Sequence, residues 1–167
     1  DYLFDILADR SGGIWVASVA TGVTWLGHRP PSIARYVKPI PNKNNDRDNG
    51  ISRIFKLRDG DIAVTAFDFR TLVLDTINGT LSQLPSPYGD IIAYTTDQHG
   101  HEWMITKSGG LMSDGKQISK TTTIGGVLPT YINDMVADSS GRLWMATWKG
   151  GLLWTRPDTK GTQFHSL

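Results

Sequence analysis

The sequence predicts an all-β chain built from four copies of a four-stranded antiparallel unit, and three observations predict it. The first is a repeated sentence. "YLFDILADRSGGIWVAS" at 2–18 aligns without a gap to "YINDMVADSSGRLWMAT" at 131–147. "DIIAYTTDQHGHEWMIT" at 90–106 fits the same frame, and "GISRIFKLRDGDIAVTA" at 50–66 is a weaker fourth copy. The second is the period: Trp15, Trp103 and Trp144 share a column that Ala63 occupies in the weak copy, with steps of about 48, 40 and 41 residues, the spacing of four-stranded propeller blades. The third is composition. Six tryptophans and 18 glycines suit short strands between tight turns better than helices.

Each copy divides into the same four pieces. The first strand ends at Asp9, Asp97 or Asp138, and a turn runs on to Gly12, Gly100 or Gly141. Asp opening such a turn accepts a backbone N–H, and Gly at its fourth position takes the conformation that returns the chain. The second strand carries the tryptophan in "IWVAS", "EWMIT" and "LWMAT". Third strands follow in "GVTWLG", "LVLD", "GLMS" and "GLLWTR", and fourth strands in "ARYVK", "TLSQL", "KQISKT" and "TQFHSL". The blades are placed at 2–38, 50–86, 90–125 and 131–167, with an inter-blade loop at 38–50. The first strands carry apolar residues on both faces, as strands covered from above and below do. The tryptophan column is therefore assigned to packing between blades, and Trp25 and Trp154 to packing on their own sheets.

The second copy departs from the frame. It lacks the tryptophan, the leading Asp and the double glycine, and an indole removed from a core column leaves a void that must be refilled. Phe55, Phe67 and Phe69 are the candidates to fill it. The erosion is either drift or the shaping of a pocket.

The 167 residues are enough for one domain with a substantial core. Lys and Arg total 17 against 16 for Asp and Glu, so no global field draws in nucleic acid. The chain has no cysteine, which excludes disulfides and thiolate metal sites. Apolar runs break well before the roughly 18 residues of a membrane helix. The chain begins with Asp, directly in a strand-like pattern, and reads as a piece of a longer polypeptide, with any membrane contact made through that parent.

The pattern "I..I..D..G.LW.AT..GGL", best matched by "YINDMVADSSGRLWMATWKGGLLW", resembles the two-component regulator propeller repeat. The resemblance extends over essentially the whole chain, in three good copies and one eroded one. It implies a β-propeller in the periplasmic sensor of a bacterial membrane signalling protein, with a kinase or diguanylate cyclase output beyond this chain. Such propellers usually have seven or more blades. The four copies here are then part of a larger ring or half of a self-paired one, and self-association through open blade ends is expected. Short "DGxLW" repeats also occur in streptogramin-lyase-like enzymes, so a soluble propeller lyase is one alternative and a protein-binding scaffold another. No enzyme motif is present, and this segment is read as non-enzymatic and without a cofactor.

Candidate site residues lie in the turns between second and third strands, at 19–21, 67–70, 107–108 and 148–149. Arg70, Lys107 and Lys149 put a cation in three of the four, which suits an anionic small molecule or acidic sugar unless they are ordinary solvated charges. Asp68 adjoins the first. Trp148 stands where no other copy has tryptophan, as a ligand platform or as blade-edge packing. In the long loop, Asn44, Asp46 and Asp48 have the first spacings of a calcium loop, but Asn49 replaces the required Gly and Phe55 the closing Glu. The loop reads as surface. His99 and His101 flank Gly100 without a third ligand nearby and are read as a hydrated turn, with no metal. "NGT" at 78–80 is read as a hairpin turn rather than a glycosylation site.

Overall fold

Every strand pairs antiparallel with its neighbour in sequence, giving four four-stranded sheets. The computed structural model describes residues 3–18, 22–27, 33–36, 50–75, 77–78, 80–84, 90–108, 110–120, 126–127, 131–157 and 162–167. The turn at 19–21 and the loop residues Asn44, Asp46, Asp48 and Asn49 lie outside them. Blade 1 comprises β1 (Leu3–Ala8), β2 (Ile14–Ser18), β3 (Gly22–Leu26) and β4 (Ile33–Tyr36). Blade 2 comprises β5 (Ile51–Lys56), β6 (Ile62–Ala66), β7 (Thr71–Asp75) and β8 (Thr80–Gln83). Blade 3 comprises β9 (Ile91–Thr96), β10 (Glu102–Thr106), β11 (Gly110–Ser113) and β12 (Lys116–Lys120). Blade 4 comprises β13 (Ile132–Ala137), β14 (Leu143–Thr147), β15 (Leu152–Thr155) and β16 (Phe164–Ser166). Two compact units result, Asp1–Pro85 with blades 1 and 2 and Ser86–Leu167 with blades 3 and 4.

Cross-strand partners share a sheet face, so the register places Leu7, Trp15 and Trp25 side by side on blade 1. In the first unit this face packs on Ile54, Ile62, Val64, Leu72 and Leu74 of blade 2. The Ile54 N–H crosses to Asp5 Oδ2 at 3.0 Å. In the second unit β9 lies against β13, and Ile105 and Leu111 of blade 3 and Met135, Met145 and Leu153 of blade 4 are buried. The first strands divide into two kinds. Ile51, Ile54 and Phe55 of β5 and Ile91 to Tyr94 of β9 are buried on both faces, as the apolar pattern predicts, whereas Leu3, Phe4 and Ile6 of β1 and Val136 of β13 are exposed. Inter-blade packing of the tryptophan column holds for Trp15, which is buried. Trp144 departs from it, half-buried on the exposed face of blade 4.

The turn and tryptophan columns are joined by hydrogen bonds. Asp9 Oδ1 accepts the Ser11 N–H at 2.8 Å, the Ser11 hydroxyl at 2.6 Å and the Gly13 N–H at 2.8 Å. Its Oδ2 takes the indole N–H of Trp15 at 3.0 Å and of Trp25 at 3.2 Å. Asp97 accepts the N–H groups of His99 and His101 at 2.8 and 3.0 Å and the Trp103 indole at 3.1 Å. Asp138 accepts the N–H groups of Ser140 and Arg142, at 2.8 and 3.0 Å, and the Trp144 indole, at 2.8 Å. The residue after the turn glycine varies with what else reaches the carboxylate. At Gly13 a Cβ would stand 2.2 Å from Trp25 Nε1, so only glycine admits the second indole. His101 Nδ1 fills that space in blade 3, 3.0 Å from Asp97 Oδ2. Arg142 Nε fills it in blade 4, at 2.7 Å from Asp138 Oδ2, and its guanidinium lies over the Trp144 ring, 5.1 Å from the centroid.

These donors set the carboxyl pKa values. Partial burial raises that of Asp9, but the bonds from Ser11, Gly13, Trp15 and Trp25 outweigh it and bring it to about 2. Asp97 is likewise raised by burial and brought to about 2 by Trp103, His101 and His99. The Trp144 indole leads the donors that hold Asp138 well below the usual carboxylate range.

Blade 2 keeps the turn but not the clasp. Leu57 N–H donates to Asp61 O at 2.9 Å and Gly60 N–H to Leu57 O at 3.0 Å, the same backbone pattern as Asp9–Gly13 and Gly12–Asp9. Gly12, Gly60, Gly100 and Gly141 all adopt positive φ here, from 77° to 104°, which favours glycine. Where blade 1 pairs Leu7 with Trp15, blade 2 pairs Phe55 with Ala63. The aromatic ring has moved to the neighbouring strand, and both residues are buried. Phe67 instead meets Phe4 edge-to-face at 5.1 Å, and Phe69 sits in the next turn at φ 71°.

Candidate functional site

The turns between second and third strands are anchored alike. The N–H of the first turn residue donates to the carbonyl just before the first strand of the same blade: Phe67 to Gly50 at 3.0 Å, Lys107 to Asp90 at 2.9 Å and Trp148 to Tyr131 at 2.8 Å. A turn and the chain entering its blade therefore form one surface. In blade 4 the Thr147 hydroxyl donates to Gly151 O and accepts the Gly150 N–H, both at 2.8 Å. That closes the turn and leaves Trp148 and Lys149 at its apex. A Cβ on Gly150 would stand 2.4 Å from Val127 Cγ2, so the link entering blade 4 rests on the turn. Trp148 is 73% exposed. Lys149 Nζ lies over the Tyr131 ring at 5.0 Å from its centroid, a cation–π contact that orders an otherwise mobile ammonium.

The sequence-predicted candidates fall into separate groups. Trp148 and Lys149 form one with Tyr131. Lys107 is exposed on the corresponding turn of blade 3, where Thr106 Oγ1 accepts the Gly110 N–H at 3.2 Å. Arg70 and Asp68 form another in the first unit. The Arg70 guanidinium is ion-paired to Asp68 Oδ2, and the Arg70 backbone N–H donates to Asp68 Oδ1 at 3.1 Å. The three cations are thus not equivalent: Arg70 is neutralised inside its own turn, whereas Lys149 rests on an aromatic ring. Tyr131 was not among the candidates, although its column was visible as the shared tyrosine opening the first and fourth copies.

The remaining candidates are structural. Trp25 and Trp154 pair cross-strand with Trp15 and Trp144, as their sheet assignment requires, and Trp154 stacks on His165 at 4.3 Å. His99 and His101 lie with ring centroids 6.0 Å apart. Among the described residues, no group of three or more His, Asp or Glu is placed to hold a metal. Asn78 Nδ2 donates to Asp75 Oδ2 at 2.7 Å in the β7–β8 connection. No described helix is long and apolar enough to cross a membrane.

Blades of this kind define a β-propeller fold, and solved structures share it. The extracellular domain of BT4673, a candidate one component system of B. thetaiotaomicron, matches with a TM-score of 0.66 at 16% identity over 99% of this chain and 25% of its own. The extracellular domain of BT3049, a candidate hybrid two component system of the same organism, matches with a TM-score of 0.67 at 16% identity over 99% of this chain and 23% of its own. Virginiamycin B lyase from Staphylococcus aureus matches with a TM-score of 0.63 at 15% identity over 99% of this chain and 55% of its own. The chain thus spans about a quarter of the first two structures and about half of the third. In sequence, the two component regulator propeller family matches residues 126–149. The matched segment ends on the Trp148–Lys149 turn. No curated protein matches the chain in sequence.

Proposed function

We propose that this chain is part of an extracytoplasmic sensor propeller of a bacterial membrane signalling protein, lying in the periplasm and binding an anionic small molecule, such as an acidic sugar, on its second-to-third-strand turns. Occupancy would be passed to a kinase or cyclase output outside this chain. The observation that carries this reading is an exposed indole beside an ordered ammonium, Trp148 and Lys149 over Tyr131, at the end of the matched sensor-family repeat. An indole face stacks on a sugar ring, and a neighbouring cation pairs with a carboxylate or sulfate. A ligand acts as a signal only through different affinity for two arrangements of the sensor.

Titration with uronic-acid oligosaccharides, followed by calorimetry and by tryptophan fluorescence, tests the proposal. Trp148→Ala and Lys149→Ala each weaken saturable binding about tenfold, or about 1.4 kcal/mol. Arg70→Ala has a smaller effect, because Asp68 already holds that charge. Saturable binding untouched by either blade 4 variant would move the site elsewhere. Turnover of the ligand would favour the lyase reading, which the fold likeness to virginiamycin B lyase supports.

A further inference from the structure

The β7–β8 connection of blade 2 carries a chemically labile pair. Asn78 is followed by Gly79, and both fall between Asp75 and Thr80, the last cross-strand partners of the two strands. With no side chain, a glycine leaves its backbone nitrogen unshielded and its own conformation unrestricted, so that nitrogen can reach the side-chain carbon of the asparagine before it. In this turn the asparagine is caged. Asp75 Oδ1 accepts the N–H groups of Ile77 and Asn78, each at 2.9 Å. Its Oδ2 accepts the side-chain amide Nδ2 of Asn78 at 2.7 Å. The backbone N–H of Asn78, then its amide, then the N–H of Ile77 hold the Asp75 carboxyl below its ordinary range, so it is an anion at neutral pH. Ile77 is 92% exposed and Asn78 is exposed beside it. The order of this turn therefore comes from hydrogen bonds to one carboxylate rather than from packing.

We infer that Asn78 is a site of deamidation whose rate the Asp75 carboxylate restrains. In the reaction the Gly79 nitrogen attacks Asn78 Cγ and forms a C–N bond, closing a cyclic imide. The Cγ–Nδ2 bond breaks, and ammonia leaves with the proton that the Gly79 nitrogen gives up. Water then opens the ring at either carbonyl, leaving aspartate or iso-aspartate in place of asparagine; no oxidant, metal or further reactant is consumed. Asp75 opposes the first step in two ways. By accepting an N–H from Nδ2 it pushes electron density toward the amide carbonyl, which makes Cγ a poorer electrophile. It also holds the leaving nitrogen in a charge-assisted bond that must break before ammonia departs.

The product inverts the contact. A second carboxylate then faces Asp75 where a donor stood at 2.7 Å, and like charges at that range repel. The next pair inward is Leu74 with Leu81. Leu74 is buried in the core of the first unit, and Leu81 packs against that core. Opening the turn therefore loosens β8, the outer strand of blade 2, where it is fastened to the core.

Peptide mapping by mass spectrometry, after incubation at neutral pH and physiological temperature, tests this. The folded chain converts Asn78 about tenfold more slowly than the same chain held unfolded in guanidinium, the scale of one hydrogen bond to a charged group. Asp75→Ala brings the folded rate to within about twofold of the unfolded one. Asp75→Asn, which keeps an acceptor oxygen without the charge, gives a rate between the two and serves if the alanine variant does not fold. Asn78→Asp makes the product directly: it lowers the denaturant midpoint, and adding Asp75→Asn recovers part of the loss by removing one of the facing charges. Equal rates in the folded and unfolded chain overturn the proposal. So does a folded rate unchanged in both Asp75 variants, or an Asn78→Asp chain as stable as the unmodified one.

Discussion

The Trp103 indole N–H donates to Asp97 Oδ2 at 3.1 Å from six positions further along the chain. The same six-residue bond joins Asp9 to Trp15 and Asp138 to Trp144. In blades 1, 3 and 4 it ties the turn after the first strand to the second residue of the second strand. Asp9→Ala and Asp97→Ala therefore leave indole and backbone donors without their acceptor, at a cost of about 1–3 kcal/mol each. Thermal or urea unfolding measures the loss, and a cost no larger than that of an exposed surface substitution would refute the role given to the carboxylate.

Acid should release the same clasp. The folded-state pKa values of Asp9 and Asp97 are depressed from 3.8 to about 2. A depressed acid contributes stability that is present above its unfolded pKa and lost as pH falls through its folded pKa. Stability therefore declines between about pH 4 and pH 2. The decline should be shallower in Asp9→Asn, whose side chain does not titrate. Equal slopes for variant and unmodified chain would assign acid unfolding to other groups.

Two glycines at adjacent positions of the repeated turn, Gly13 in blade 1 and Gly141 in blade 4, should fail for different reasons. Gly13→Ala drives a methyl into Trp25 Nε1 and Asp9 Oδ2, 2.2 and 2.7 Å away, and costs about 1–3 kcal/mol by overpacking. Gly141→Ala meets nothing within 4 Å but holds φ at +77°, and costs about 1–2 kcal/mol through the backbone alone. Gly141→Asn, which tolerates that conformation, recovers part of the loss. Gly13→Asn recovers none, and denaturant midpoints separate the two cases.

The aromatic exchange in blade 2 predicts coupling. Phe55→Leu opens a cavity, and Ala63→Trp overfills a site that is fully buried. Together they restore the Leu7–Trp15 pairing of blade 1. The double variant should be more stable than the sum of the single effects by about 0.5–3 kcal/mol. Strict additivity in a double-mutant cycle would mean that the two side chains do not share one space.

Strand order and blade number were legible because the turn glycine recurs in all four copies and the tryptophan column in three of them. The clasp was only half legible. Asp9 could be read as a turn residue, but nothing in the spacing announces that its second oxygen reaches two indoles, since that depends on the pairing of Trp15 with Trp25. The site was less legible still. Arg70, Lys107 and Lys149 look equivalent in an alignment, and only side-chain geometry separates the one held by Asp68 from the one lying on Tyr131. Exposure of β1 and β13 was also hidden. An apolar strand reads the same whether or not another sheet covers it.

Among the described residues, no strand pairs with one that is not its neighbour in sequence. Each blade closes its own ladder over short loops, where the entropy of closure is small, and contacts of that kind form quickly. A duplication or deletion of one blade-length of gene would change the number of sheets without asking any existing strand to find a new partner. The period of about 40 residues is therefore also a unit of inheritance. The eroded second copy illustrates the latitude this leaves: one blade can lose its tryptophan and its aspartate while its neighbours keep theirs.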